Sequence, residues 1–346
     1  MLPQPADEVF SFSVEPLSNL RSRRNVVTGD GEGVVLRPAQ RREIHNALQL
    51  VLSQGGQLAG EEQVVDFLRF AVYRSIDMNS MWVAAENGRI VWAILPVVSP
   101  GRTMLLFSPS HVPKNARTMI VCPLVERVIE HYQGRAIDLA QVLIDPAEKA
   151  AVAVYEDCQF ERMAELVYLD REVHRAHDTP VPKGYSWDVY SSATHDEFAR
   201  TISATYELSL DCPMLNGRRQ IEDVIAGHKA AGEFDPKLWF VLRDNYRTVG
   251  VLLLNRSSRT DSLELVYLGL IPPARGRGLG DLMMTHALAT ADAIGARRLS
   301  LAVDSKNEPA LRLYRRHGLS QICSRLALIR DLRQQSAQCA RPVSTP

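Results

Sequence analysis

One spacing constrains this chain more than any other feature. Tyr155 and Tyr314 stand 159 residues apart, and that offset lays Pro113 on Pro272, Asp145 on Asp304, Ala151 on Ala310 and Phe160 on Leu319 without a gap. Trp82 and Trp239 follow at 157, as expected where a hairpin turn differs slightly in length. Landmarks of several unlike residue types, met twice in one order, point to a duplicated supersecondary unit. At roughly 100–200 residues per domain, a chain of 346 residues has room for two copies.

The hydrophobic pattern repeats with the landmarks. In the first copy, strands are expected at 34–38, 104–107 and 139–144, and helices at 40–52, 61–75, 118–132 and 149–155. The segments 81–85 and 89–98 flank Asn87-Gly88, a hairpin signal. In the second copy, strands are expected at 185–190, 263–270 and 298–303, with a hairpin of 238–243 and 249–255. Helices are expected at 194–206, 217–231, 280–294 and 309–316. The boundaries follow: a tail or arm over 1–33, a first domain over 34–172, a polar linker over 173–184, a second domain over 185–333, and a tail over 334–346.

Composition excludes several classes of function. Lys+Arg and Asp+Glu balance at 40 each, so no global field draws in nucleic acid or an anionic membrane. Apolar runs fall short of the ~18 residues a membrane span needs, and residues 1–11 lack the pattern of a secretory signal. Five scattered cysteines without a CxxC pair argue against a zinc site or a disulfide framework. A cytoplasmic protein without a metal is expected; oligomeric state leaves no trace in the sequence.

The most informative segment runs from Leu263 to Leu282: an apolar strand, the break Pro272-Pro273, the loop Arg275-Gly276-Arg277-Gly278-Leu279-Gly280, then an amphipathic helix. Glycines let backbone approach a ligand closely, and amides at a helix start can cradle a pyrophosphate. Arg275 and Arg277 add charge there. The loop is not a P-loop, because no Gly-Lys-Ser/Thr follows, and it lacks the dinucleotide GxGxxG spacing. About thirty residues on, Asn307-Glu308-Pro309-Ala310-Leu311-Arg312-Leu313-Tyr314-Arg315-Arg316-His317-Gly318-Leu319 follows a strand ending in Val303-Asp304.

Together these segments resemble the GNAT superfamily of acetyl-CoA-dependent N-acetyltransferases. The family's Arg/Gln-x-x-Gly-x-Gly/Ala signature is matched by Arg275, Gly278 and Gly280. Its later Asn-x-x-Ala-x-x-x-Tyr-x-x-x-Gly-Phe element is matched by Asn307, Ala310, Tyr314 and Gly318, with Leu319 in place of the aromatic. The likeness is specific across about residues 238–320 and extends to the first half at the level of fold. It implies an α/β (α+β) chain of two GNAT-like domains, each a mixed, mainly antiparallel sheet flanked by helices, in a tandem arrangement like that of mycothiol synthase.

The resemblance also implies a chemistry. The fourth and fifth strands splay, Leu268, Gly269 and Leu270 pair with the pantetheine arm, and Arg275 to Gly280 hold the pyrophosphate, with Asn307 nearby. An amine attacks the thioester directly, Tyr314 protonates the departing thiolate, and Glu264 stands where some members carry a general base. Acceptor choice falls to the region 201–219, where Tyr206, Glu207 and Asp211, with Cys212 and Asn216, are the candidates. A small-molecule amine or a peptide amino group is the expected acceptor. The rival reading is a non-catalytic acyl-CoA-binding or regulatory protein.

The offset tests the first copy. Gly276, Gly278 and Gly280 map to Arg117, Met119 and Val121, Arg275 to Ala116, and Glu264 to Leu105. Side chains there would crowd a phosphate, so the first copy is expected to keep the fold and lose turnover. Elsewhere His286 and His317 are read as structural, Tyr267 as core or cleft wall, and Met283 and Met284 as packing.

Overall fold

Each copy forms the expected elements in order and adds a closing strand, Glu161–Glu172 in the first and Ser320–Asp331 in the second, that the sequence did not lead us to expect. The computed structural model describes residues 33–112, 117–174, 180–257 and 261–333. The expected tails lie outside these residues, apart from Gly33, as does the middle of the expected linker. The first copy contains β1 (Val35–Pro38), α1 (Ile44–Val51), α2 (Glu61–Tyr73), β2 (Trp82–Glu86), β3 (Arg89–Ser99), β4 (Thr103–Phe107), α3 (Cys122–Tyr132), β5 (Leu139–Ile144), α4 (Lys149–Asp157) and β6 (Glu161–Glu172). The second contains β7 (Tyr185–Val189), α5 (His195–Tyr206), α6 (Ile221–Ala230), β8 (Trp239–Asp244), β9 (Arg247–Arg256), β10 (Ser262–Leu270), α7 (Leu279–Ala293), β11 (Arg298–Asp304), α8 (Glu308–Arg316) and β12 (Ser320–Asp331). Helices α4 and α8 begin and end 159 residues apart, and so do strands β6 and β12.

The chain divides into two compact units. Among the described residues, one runs to Arg162 and resumes at Leu326, and the other is Met163–Arg325. The first unit orders its strands β1-β2-β3-β4-β5-β12, and the second β6-β11-β10-β9-β8-β7. From Met163 on, β6 thus belongs to the second unit, and from Leu326 on, β12 belongs to the first. Val303 faces Val167 across β11 and β6, and Leu326 faces Ile144 across β12 and β5, a register that corresponds residue for residue at the offset of 159. The sequence reading drew the domains at 172 and 185; the units part at 162 and 325. Sequence continuity does not report which neighbouring edge a closing strand joins.

Within each unit, neighbouring strands run antiparallel except one pair. In the second unit β10 and β11 run parallel, meeting only at Ser262↔Arg298, Leu263↔Leu299 and Glu264↔Ser300. Beyond Glu264 the two strands part, although β10 continues to Leu270 and β11 to Asp304. Against β9, β10 also carries a bulge between Leu265 and Tyr267. A bulge adds a residue on one side and turns the strand. One face of this sheet packs Leu263 and Leu265 with Met283, Met284 and Leu288 of α7. The other packs Trp239 and Val251 with Phe198 and Ile202 of α5. The first unit repeats the short parallel pairing between β4 and β5, at Thr103↔Leu139 through Leu105↔Gln141.

One expectation is corrected. Cys122, opening α3, and Cys158, just after α4, form a disulfide in the first unit, with Cα atoms 5.1 Å apart. Packing of α3 and α4 brings together two cysteines whose 36-residue separation carries no motif. No described helix is long and apolar enough to cross a membrane.

Candidate active site

The parting of β10 and β11 opens a cavity of about 690 Å³ in the second unit. Leu265 to Leu270 form one side, Ala302 and Val303 the other, and the start of α7 and one face of α8 close the ends. Leu268, Gly269, Leu270, Arg275, Gly276, Gly278, Gly280, Asn307 and Tyr314 all line it, as expected of them from the sequence. Gly269 is there for a steric reason: a Cβ would stand 2.7 Å from Thr205 Oγ1 and 2.8 Å from Tyr267 Cε1, so α5 could not lie this close to β10.

The loop before α7 has the backbone of an anion cradle. Gly276 and Gly278 hold φ of +73° and +77°, which residues with a side chain rarely adopt, and a Cβ on either would meet nothing within 4 Å. The glycines therefore serve the turn and leave open space before the first amides of a 15-residue helix. Those amides have no intrahelical acceptor and carry the positive end of the helix dipole.

The two arginines of the loop are used otherwise than expected. Arg275 donates to four carbonyl oxygens: Leu270 at 3.0 Å, Leu208 at 3.0 Å, Thr205 at 2.9 Å and Glu207 at 2.8 Å. It ties the frayed end of α5 to the end of β10, which leaves little of the guanidinium for a phosphate. Arg277 turns out of the cavity and donates to Tyr185 Oη at 2.8 Å and Asp244 Oδ2 at 3.1 Å. Leu279 is buried in the core. Two arginines that the sequence did not single out within the Asn307–Leu319 segment, Arg312 and Arg316, do line the cavity, one turn apart on α8. Arg316 pairs with Asp281 at 2.9 Å, and His317 Nε2 lies 3.1 Å from the same carboxylate. Burial would raise the Asp281 pKa, but these hydrogen bonds hold it below its ordinary value.

Tyr314 is 6% exposed, and among the described residues its hydroxyl has no hydrogen-bond partner. Burial, reinforced by the nearby Asp211 carboxylate and Tyr267, pushes its pKa well above the ordinary tyrosine value. The proton therefore stays on the oxygen at neutral pH. Asp211 is held by a reciprocal clamp: its Oδ1 accepts from the Asp304 amide at 3.0 Å, and Asp304 Oδ2 accepts from the Cys212 amide at 3.2 Å. Asn307 caps α8 and also hydrogen-bonds Asp211. Burial raises the Asp211 pKa and the Asp304 charge adds to that, against the lowering effect of these hydrogen bonds.

Glu264 is not brought to the cavity. It sits at the closed end of the parallel pair, opposite Ser300, with Tyr168 of β6 near its charge. The sequence reading missed this because the point where the strands part is set by pairing register.

A second cavity of about 560 Å³ adjoins the first, sharing Leu208, Asp211, Val266 and Tyr267 with it. Tyr206, Glu207, Cys212 and Asn216 line it, as does His228 of α6, which the sequence did not single out. His228 stacks on Tyr267, with ring centroids 5.3 Å apart, and its Nε2 lies 3.3 Å from Tyr206 Oη. Burial, with Arg219 nearby, lowers its pKa to about 3, so the ring is neutral at physiological pH. Tyr267 Oη and Thr205 Oγ1 are 2.8 Å apart. His286 stacks on Trp187 at 4.3 Å, away from both cavities.

Comparison with known proteins agrees with this geometry. Residues 202–319 match the model of the Acetyltransferase (GNAT) family. An uncharacterised N-acetyltransferase of Mycobacterium bovis is 32% identical over 129 residues, which is 36% of this chain and 81% of the relative. The chain belongs to the GNAT family of acetyltransferases. Among GNAT relatives, a mycothiol acetyltransferase of Jonesia denitrificans is 36% identical over 77 residues, 22% of this chain and 24% of that protein. Two solved structures share the fold over both units at 15% identity. A GCN5-related N-acetyltransferase from Sphaerobacter thermophilus covers 87% of this chain and 96% of its own at a TM-score of 0.57. A tandem GNAT protein from the clavulanic acid biosynthesis pathway covers 86% and 98% at 0.51. This GNAT chain is an acyltransferase, and it carries two units of one fold.

Proposed function

We propose that the second unit transfers an acetyl group from acetyl-CoA to an amine by direct attack, while the first unit keeps the fold without turnover. The observation that carries this reading is the unpaired hydroxyl of Tyr314, set in a cavity that runs from the parted strands to the glycine cradle of α7. Acetyl-CoA supplies an activated thioester. Gly276 to Gly280 would receive its pyrophosphate on backbone amides, and the free edge of β10 at Leu268–Leu270 would pair with its amide-bearing arm.

Asp211, rather than Glu264, takes the role of base in this reading. Its carboxylate borders both cavities, and a raised pKa makes it a better proton acceptor than a solvated one. The acceptor's ammonium passes a proton to Asp211, and its nitrogen bonds the acetyl carbon as the carbon–sulfur bond breaks. Tyr314 gives its proton to the departing sulfur, the second proton shed by the newly acylated nitrogen restores the one Tyr314 gave up, and Asp211 discharges its own proton to solvent. The first unit has the same helix and tyrosine, but Tyr155 donates to Ser108 Oγ at 2.6 Å, Val121 is buried, and Met119 stands 74% exposed where a glycine cradle would be.

The experiment is an amine-library screen on the full chain with acetyl-CoA, reading thiol release and the mass of the acetylated product. Transfer that collapses in Tyr314→Phe supports the reading. Transfer unaffected by that variant, with chemistry shown to be rate-limiting, overturns the role of Tyr314.

A further inference from the structure

The second cavity carries a charge pattern that describes its occupant. Arg219, just before α6, lines it with a largely buried guanidinium. Its Nη2 donates to the Asp223 carbonyl oxygen at 3.1 Å, its buried Nε has no hydrogen-bond partner, and among the described residues no carboxylate forms an ion pair with it. The Asp223 charge acts on it without forming an ion pair, and an anion that pairs directly with a buried cation recovers much of the cost of burying it. Neighbouring His228 contributes no charge, because burial keeps its ring neutral. Arg219 is thus the fixed cation of this cavity. At the boundary shared with the first cavity stands the opposite charge, Asp211, beside Tyr267. The wall also carries Tyr206, Ile221 and Val224, a surface for an apolar body.

Resting on the acetyl-transfer reading above, we propose that the acceptor is a small zwitterion of the amino-acid type. Its amine meets Asp211 at the junction of the cavities, its apolar body lies along Tyr206 and Tyr267, and its carboxylate is received by Arg219. A cavity of about 560 Å³ has room for such a molecule. Polymers and diamines fit less well: a protein-bound lysine brings no carboxylate at this distance, and a polyamine would place a second cation against Arg219.

The test compares matched acceptors on the full chain: L-phenylalanine with 2-phenylethylamine, L-leucine with isopentylamine, and O-phosphoethanolamine as the phosphate-bearing arm. The expected result is a kcat/KM at least tenfold higher for each amino acid than for its decarboxylated partner. Arg219→Gln should collapse that ratio toward one by raising KM for the amino acid, and Arg219→Lys should restore part of it. Equal use of the decarboxylated amines, preference for the phosphate arm, or a ratio unchanged in Arg219→Gln would overturn the proposal. Should the protein bind acetyl-CoA yet acetylate no amine, the transfer reading fails separately. Calorimetry of L-phenylalanine into the CoA-loaded wild type and Arg219→Gln then decides the acceptor: binding lost in the variant supports the proposal, and no binding to wild type contradicts it.

Discussion

Tyr155 and Tyr314 occupy the same position of α4 and α8, one repeat apart, yet their hydroxyls have opposite fates. Tyr155 is fully buried and donates to Ser108 Oγ at 2.6 Å; burial pushes its pKa up to about 12 against the lowering effect of that contact. Tyr314 keeps its hydroxyl unpaired at the edge of the cavity. In the second copy the position of Ser108 belongs to Tyr267, whose own hydroxyl is engaged with Thr205. The duplication thus kept a helix that packs a tyrosine, and the neighbouring residue decides whether that hydroxyl is paired.

The two tyrosines should separate on mutation. Tyr314→Phe is expected to lower turnover of a good acceptor by about 10–1000-fold with little change in acetyl-CoA affinity, the scale of one general acid. Tyr155→Phe should leave turnover unchanged and lower stability by about 1 kcal/mol, the worth of a buried hydrogen bond. Steady-state kinetics and chemical denaturation measure both; equal kinetic effects would remove the distinction.

Arg275→Ala should act on stability before affinity. The side chain donates to four carbonyl oxygens around the end of α5, so its loss is expected to destabilise the protein by about 2–3 kcal/mol. Acetyl-CoA affinity of the folded fraction should fall less than threefold. A large loss of affinity without a change in melting temperature would return Arg275 to phosphate binding.

Acid stability should report His228. Its native pKa lies near 3, below the ~6.5 of an unfolded histidine. The stability tied to its neutral ring is complete above about pH 6.5 and declines as pH falls toward 3, because the unfolded chain takes up a proton that the folded one refuses. The slope is at most about 1.4 kcal/mol per pH unit. Denaturation between pH 7.5 and 4.5 should therefore show a shallower pH dependence in His228→Gln than in wild type. Parallel curves would mean that the ring is not held neutral.

Much of this architecture was legible in the sequence because it rests on short-range chemistry. The offset of 159, the hairpin at Asn87-Gly88, the glycine loop before α7 and the position of Tyr314 each depend on residues near one another in the chain. What was not legible depends on pairing between distant segments. The exchange of β6 and β12 follows from which sheet edge each strand joins. The exclusion of Glu264 follows from a parallel register that ends at Ser300. Arg275 looked like a phosphate ligand because three of its four carbonyl partners lie in α5 and just beyond, some seventy residues earlier. Arg219 and His228 could have been suspected from their place at and just after the end of the segment 201–219, but their burial could not.

The exchanged strand also predicts how the chain can be cut. A fragment of residues 185–333 lacks β6, whose residues Leu166–Glu172 pair with Arg298–Asp304 of β11. It should be aggregation-prone, since an open strand edge invites pairing with other chains. Solubility and circular dichroism of that fragment, beside the full chain, check this. A stable monomer with native spectra would mean that β6 is dispensable.

The division of labour between the two copies is tested most directly by the stoichiometry of acetyl-CoA binding. Calorimetry on the full chain should give one site per chain, and that site should vanish in Gly278→Val, whose branched side chain cannot hold φ near +77° and would fill the cradle. Circular dichroism of the variant confirms that the fold is kept. Two sites per chain, or one that survives in Gly278→Val, would place the cofactor in the first copy and contradict the account.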